Sequence, residues 1–243
     1  MKIKRFAIGI PDPDREVRTA VECVVTNPTT EEVRLIAHTF IVTDRDGFAV
    51  GSRVNDRRDC SMEPGGETTI TPWLTLEHVI SQSEDRGLSL TMSATLYARD
   101  FHPLGEVEVP AKDLSCVRLE RTIVSKTIDA VLKVNVIRLQ PDEEGHIDVK
   151  PMVLLRNKTD HYLPRVEMKS ELLDSDDGVI EEATDQVTID ARSATCLEGT
   201  FGWLKRGQLR KARLRLGLYV FRPVHWEECS MASSPADESD ALD

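Results

Sequence analysis

Residues 17–47 read VRTAVECVVTNPTTEEVRLIAHTFIVTDRDG, and the alternation inside them decides the fold. Val17, Thr19, Val21, Cys23 and Val25 fall on one side, with Arg18, Glu22 and Thr26 on the other. Successive side chains of a strand point to opposite faces, so this is a half-buried strand of an antiparallel sheet. Asn27-Pro28-Thr29-Thr30 breaks it, because proline cannot extend a paired strand and asparagine accepts turn geometry. A second strand is predicted over Val33–Thr43, and Asp44-Arg45-Asp46-Gly47 then turns the chain back as a hairpin.

The same text recurs downstream. Pro11-Asp12 matches Pro141-Asp142, Asn27 matches Asn157 and Thr29 matches Thr159, all at one offset. Val17, Val21, Cys23 and Val25 meet Ile147, Pro151, Val153 and Leu155. The offset drifts by one at Asp46-Gly47 against Asp177-Gly178, then shortens towards Leu96-Tyr97 against Leu218-Tyr219. A register held through the apolar pattern, with length changes confined to turns, is the signature of a duplicated domain. Each copy offers several short strands over about 100 residues, the scale of an immunoglobulin-like sandwich. The expected architecture is all-β: two tandem immunoglobulin-like β-sandwich domains at 1–112 and 131–229. A connector at 113–130 joins them and a disordered acidic tail at 230–243 follows.

Phe40-Ile41-Val42-Thr43-Asp44 with Asp46-Gly47, followed by Met62-Glu63-Pro64-Gly65-Gly66-Glu67, resembles the FxLYD family of small β-sandwich domains. Val42 and Thr43 stand where that family has Leu and Tyr. The second copy keeps Leu172-Leu173-Asp174 before Gly178, with Ser170 in place of the Phe. The Asn-Pro-Thr turn is similar to that of WHy domains. These resemblances, over about 50 residues per copy, imply a sandwich without known catalytic residues. FxLYD-like proteins are often exported, which the start of this chain does not match.

The two copies differ on their outer faces. In the second, Arg165, Glu167, Lys169 and Glu171 alternate with inward Val166, Met168, Ser170 and Leu172. In the first, Ile36, His38, Phe40 and Val42 point inward, and the outward set Val33, Leu35, Ala37, Thr39 and Ile41 holds no charge. A later strand repeats the contrast: outward Ser89, Thr91, Ser93 and Thr95 stand where the second copy has Lys211, Arg213, Arg215 and Gly217. In an immunoglobulin-like sheet these two strands are neighbours. The first copy would then carry a flat uncharged patch centred on Leu35 and Ile41, and contiguous patches of this kind mark contacts. Either the connector or the second copy covers it, or it meets a protein partner or a second copy of the chain.

The rest of the chain narrows the choice. At 243 residues, 40% hydrophobic and 30% charged, it has the composition of a soluble globular protein. No run approaches the roughly 20 apolar residues of a membrane helix, and residues 1–11 are too short and interrupted for a signal peptide. A cytoplasmic location is expected, in keeping with an odd five cysteines, Cys23, Cys60, Cys116, Cys196 and Cys229, with no close pair. A net charge of −11 argues against general nucleic-acid binding. Lys211, Arg213 and Arg215 form a basic stripe that could still hold phosphate, but Glu167 and Glu171 should pair across it. Asp174-Ser175-Asp176-Asp177-Gly178 has its glycine one place early for a calcium loop and reads as a hairpin turn. The six histidines are scattered, with His38 in the core, and no P-loop, Gly-x-Ser-x-Gly or Cys-x-x-Cys occurs. The expectation is a non-enzymatic binding or adaptor protein without catalytic residues, metal or cofactor, working through the uncharged face. The alternative is a ligand- or nucleic-acid-binding module using the basic stripe.

Overall fold

The structure is a computed structural model that describes residues 1–8, 17–76, 87–109, 130–141, 144–157, 160 and 162–232. It is nearly all β, and its sheets are antiparallel among the described residues. The first seven strands are β1 (Lys2–Ile8), β2 (Val17–Thr26), β3 (Val33–Thr43), β4 (Ala49–Met62), β5 (Glu67–Ile70), β6 (Trp73–Leu76) and β7 (Ser89–Glu108). The next seven are β8 (Ala130–Pro141), β9 (Ile147–Asn157), β10 (Leu163–Leu173), β11 (Val179–Ile189), β12 (Ala194–Glu198), β13 (Phe201–Leu204) and β14 (Arg213–Ala232). One helical turn, α1 (Arg206–Leu209), precedes β14.

The second seven repeat the pairings of the first. β2 takes β1 on one edge and β5 then β6 on the other; β9 takes β8 on one edge and β12 then β13 on the other. β3 lies between β4 and β7, and β10 between β11 and β14. The turns repeat as well. The Asn27 N–H donates to Gly66 O and the Asn157 N–H to Ser193 O, both at 2.9 Å. Asp44 Oδ1 accepts the N–H groups of Asp46 and Phe48, and Asp174 Oδ1 those of Asp176 and Gly178. Gly178 therefore corresponds to Phe48. The one-residue drift expected at this turn does not occur: Asp177, at φ 65°, takes the left-handed place that Gly47 fills at φ 84°.

The chain forms two compact units, and their cuts fall inside the two longest strands. The first comprises Met1–Ala98 with Pro223–Asp243, the second Arg99–Arg222. This differs from a division at 112 and 131, because residues 99–108 of β7 count with the second unit and residues 223–232 of β14 with the first. Within the first unit, β14 lies beside β7, where Thr91 Oγ1 meets Ser230 Oγ at 3.5 Å. Within the second, Arg222 Nε reaches Asp100 Oδ2 at 2.6 Å and Phe101 packs on Tyr219 at 4.8 Å. The connector expected at 113–130 lies outside the described residues except for Ala130, which opens β8. Of the tail expected from residue 230, residues 230–232 instead continue β14, where alternation turns Cys229 and Met231 onto the first core, and the remainder lies outside the described residues.

Each unit packs two sheets around its own core. The first core joins Phe6, Val21, Cys23, Val25 and Leu74 to Ile36, Phe40, Val42, Met92 and Leu96 from the β3 side. The second joins Val149, Val153, Leu155 and Phe201 to Met168, Leu172, Leu214, Leu216 and Leu218. This is sandwich-like packing of inward faces. Burial raises the Cys23 thiol to about 12 and the Cys60 thiol to about 11, so both act as apolar fillers rather than nucleophiles.

His38 is a buried polar residue on the inward face of β3. It is 4% exposed, its Nδ1 has no hydrogen-bond partner, and its Nε2 stands 3.6 Å from Asp56 Oδ2. Burial pushes its pKa below 6.5, opposed by Asp56 and reinforced by Arg53 and Arg58. A base with a depressed folded pKa binds fewer protons folded than unfolded. Its contribution to stability is therefore complete above the unfolded value and lost as pH falls through the window below it. Urea midpoints should drop between about pH 7 and pH 5, and His38→Gln should flatten that dependence.

Candidate functional site

β3 and β7 set the outer face of the first unit's sheet in register. Ala37 lies opposite Thr95, Thr39 opposite Ser93, Ile41 opposite Thr91 and Thr43 opposite Ser89. All eight are half-buried and uncharged. On one side Ser52 faces Ile41, and Val54, 60% exposed, falls in the bulge opposite Thr39. On the other, Ser230 meets Thr91, and strand alternation puts Trp226, 62% exposed, on the same side of β14. Charge returns at the rim with Arg57 opposite Ala37 and with Glu228.

Two residues assigned to this face need correction. Val33 is fully buried in the first core, because a register shift between Val33 and Leu35 reverses the alternation and sets Val33 opposite Ala98. Leu35 keeps the outward phase beside Tyr97 but is fully covered. The accessible apolar centre of the patch is Ile41, not Leu35.

The equivalent face of the second unit is charged and paired. Glu171 lies opposite Arg215 and binds its Nε at 2.6 Å, while Lys169 Nζ reaches the other carboxylate oxygen at 2.8 Å. These bonds, Lys169 first, hold the Glu171 carboxyl below its ordinary range. Arg213 pairs with Glu106 at 3.2 Å and with Asp177. The stripe of three is reduced to two, since Lys211 lies in the turn before β14 at φ 70°. The register also shifts the expected match of the late strands by two: Ile41 faces Thr91 where Glu171 faces Arg215, so Arg215 stands in the place of Thr91 rather than of Ser93. Glu167 does not pair with the stripe. It takes Arg99 Nη2 at 2.8 Å, and the Arg99 guanidinium lies 3.6 Å over the Tyr219 ring. Phe101 packs across Gly217, where a Cβ would overlap its ring.

A second feature was not foreseen. β6 pairs with β2 through four consecutive residues, but β13 pairs with β9 with a register shift between Phe201 and Leu204. Gly202 and Trp203 occupy that bulge, and Trp203 takes φ 62° with 74% of its surface exposed. A left-handed backbone costs a bulky L-residue about 1–2 kcal/mol. Its contact with the His146 ring, 5.2 Å between centroids, returns about 0.5–1.5 kcal/mol. Packing thus leaves no clear net gain from a tryptophan here.

Among the described residues no helix is long and apolar enough to cross a membrane. Nor does any group of three or more His, Cys, Asp or Glu side chains among them stand ready for a metal ion. No protein-family model matches the chain, and no curated protein matches it. Among solved structures, it is similar to an exo-chitosanase, CsxA, of Amycolatopsis orientalis in complex with a glucosamine derivative, at 11% identity and a TM-score of 0.26. It is also similar to a beta-glucuronidase from glycoside hydrolase family 2, at 7% identity and a TM-score of 0.25. These alignments cover 90% and 91% of the chain but only 26% and 24% of the two enzymes, so the chain spans about a quarter of their length.

Proposed function

We propose that this is a non-enzymatic, cytoplasmic binding or adaptor protein made of two immunoglobulin-like sandwiches that arose by internal duplication. The resemblance to FxLYD and WHy domains then reflects shared sandwich architecture. The protein acts by docking a protein partner on the outer face formed by Ala37, Thr39, Ile41, Ser89, Thr91, Ser93 and Thr95. The observation that carries this reading is the contrast between equivalent strand pairs. Ile41 opposite Thr91 and Thr39 opposite Ser93 are neutral, where Glu171 opposite Arg215 is an ion pair. On a chain of net charge −11, a flat neutral face flanked by Trp226 and Val54 is where apolar contact costs least in desolvated charge.

Ile41→Lys is the test. Ile41 sits on the outer face and outside the first core, so the variant should keep its circular-dichroism spectrum and urea midpoint. Burying such a side chain contributes roughly 1.5–3 kcal/mol, so partner affinity should fall at least about tenfold. Association that persists in high salt and disappears in the variant supports the reading. Unfolding of the variant would instead assign Ile41 a structural role.

A further inference from the structure

We propose that Trp203, His146 and Asp148 form a receptor in the second unit for an arginine side chain carried on a flexible protein segment. The site stands apart from the neutral face of the first unit and uses different chemistry. His146 and Asp148 lie on one face of the chain entering β9, since Ile147 and Val149 between and after them point into the core. Gly202 stands against that face: a Cβ there would sit 3.6 Å from Asp148 Oδ1. The His146 ring backs the indole of Trp203, and most of the indole remains open to solvent.

Three observations converge on this ligand. First, the bulge that throws Trp203 outward has no counterpart in β6, and bulges of this kind re-aim a side chain. Second, Asp148 is half-buried yet makes no side-chain hydrogen bond or ion pair among the described residues. An aromatic face beside a carboxylate attracts a cation twice, through the ring quadrupole and through charge. Third, the same unit contains the completed form of this arrangement. Arg99 lies over Tyr219 while its Nη2 binds Glu167. At Trp203 the ring and carboxylate are present, and among the described residues no guanidinium lies over the ring. A planar guanidinium stacks on an indole and still presents donors to a carboxylate, which an ammonium does less well.

The intact chain has three tryptophans, and the indole N–H resonance missing from Trp203→Phe identifies that of Trp203. It should be titrated with acetyl-Gly-Arg-Gly-Arg-Gly-amide and with the same peptide carrying citrulline for arginine. The arginine peptide should shift the Trp203 resonance saturably below about 10 mM, as a single cation–π contact with a nearby carboxylate would. The citrulline peptide should not, and Asp148→Asn should weaken binding at least about threefold while the protein stays folded. Lys205→Gln, which removes a positive charge two residues along the chain from Trp203, should tighten it. No saturation in that range, an equal response to citrulline, or an unchanged affinity in Asp148→Asn would each overturn the proposal.

Discussion

Asn27→Asp, a change of one side-chain atom, should destabilise the protein more than Asn27→Ala. Asn27 is fully buried and uses its whole amide. Nδ2 donates to Glu31 O at 2.8 Å and Met62 O at 3.0 Å, while Oδ1 accepts the N–H of Thr29 at 3.0 Å and its Oγ1 at 2.7 Å. Alanine removes four bonds and strands groups of which the Met62 carbonyl has no water to turn to. At about 1 kcal/mol per bond the loss is about 3–5 kcal/mol. Aspartate keeps the two accepting interactions but aims an anionic oxygen at two carbonyl oxygens. A carboxylate so placed has its folded pKa raised above the unfolded value of about 3.9, so the folded state holds the extra proton. Stability of this variant should therefore recover as pH falls towards 4 and deteriorate as pH rises. Urea titrations of wild type and both variants at about pH 4.5 and pH 7 check this. An Asp variant as stable as wild type at pH 7 would show that the bonds of Asn27 do not hold β2, β3 and β4 together.

That network also shows how much of the fold can be read from the chain. Asn27 and Asp44 were legible as turn residues because few side chains satisfy backbone groups in tight turns, and their equivalents Asn157 and Asp174 make matching bonds. The phase of Ile36, His38, Phe40 and Val42 followed from two-residue periodicity, and all four are buried. The burial of Val33 was not legible because a bulge leaves no mark in local alternation; it exists only relative to the neighbouring strands β4 and β7. The unit boundaries were hidden for a related reason. Strand alternation runs through Ala98-Arg99 and Arg222-Pro223 without a turn, and membership depends on partners more than 100 residues away. The pairing of Glu167 with Arg99 rather than with the basic stripe hangs on the same long-range placement.

The candidate surfaces divide along that line. The neutral face was legible because it lies on two strands whose contrast with Glu167, Lys169 and Glu171 shows in the text of the chain. Trp203 was not, because nothing local says that an aromatic residue beside a glycine will take the left-handed place in a bulge. A Gly-Trp pair would ordinarily assign that conformation to the glycine.

Phe40 and Ser170 occupy equivalent places in β3 and β10, and replacing each by alanine should move stability in opposite directions. Phe40 is among the largest fully buried side chains, packed in the first core with an edge contact to His38 at 5.2 Å. Phe40→Ala removes that volume from a sheet held on both sides by β4 and β7, leaving a cavity that costs about 3–5 kcal/mol. Ser170 is equally buried, but its hydroxyl has no hydrogen-bond partner. Burying a lone hydroxyl carries its desolvation cost without return, so Ser170→Ala should raise stability by about 1 kcal/mol. Restoring the aromatic residue would not help. A Cβ at Gly199 would stand 3.2 Å from Ser170 Oγ, with Pro151 Cγ at 3.1 Å and Met168 Cε at 3.4 Å, so the space that holds a ring in one unit is closed by backbone and neighbours in the other. Ser170→Phe should therefore destabilise by overpacking, by about 1–3 kcal/mol or more. Chemical denaturation of the three variants decides the matter. A Ser170→Ala protein less stable than wild type would mean that the hydroxyl has a partner, and the serine would then be a structural requirement of the second core rather than a place where it has relaxed.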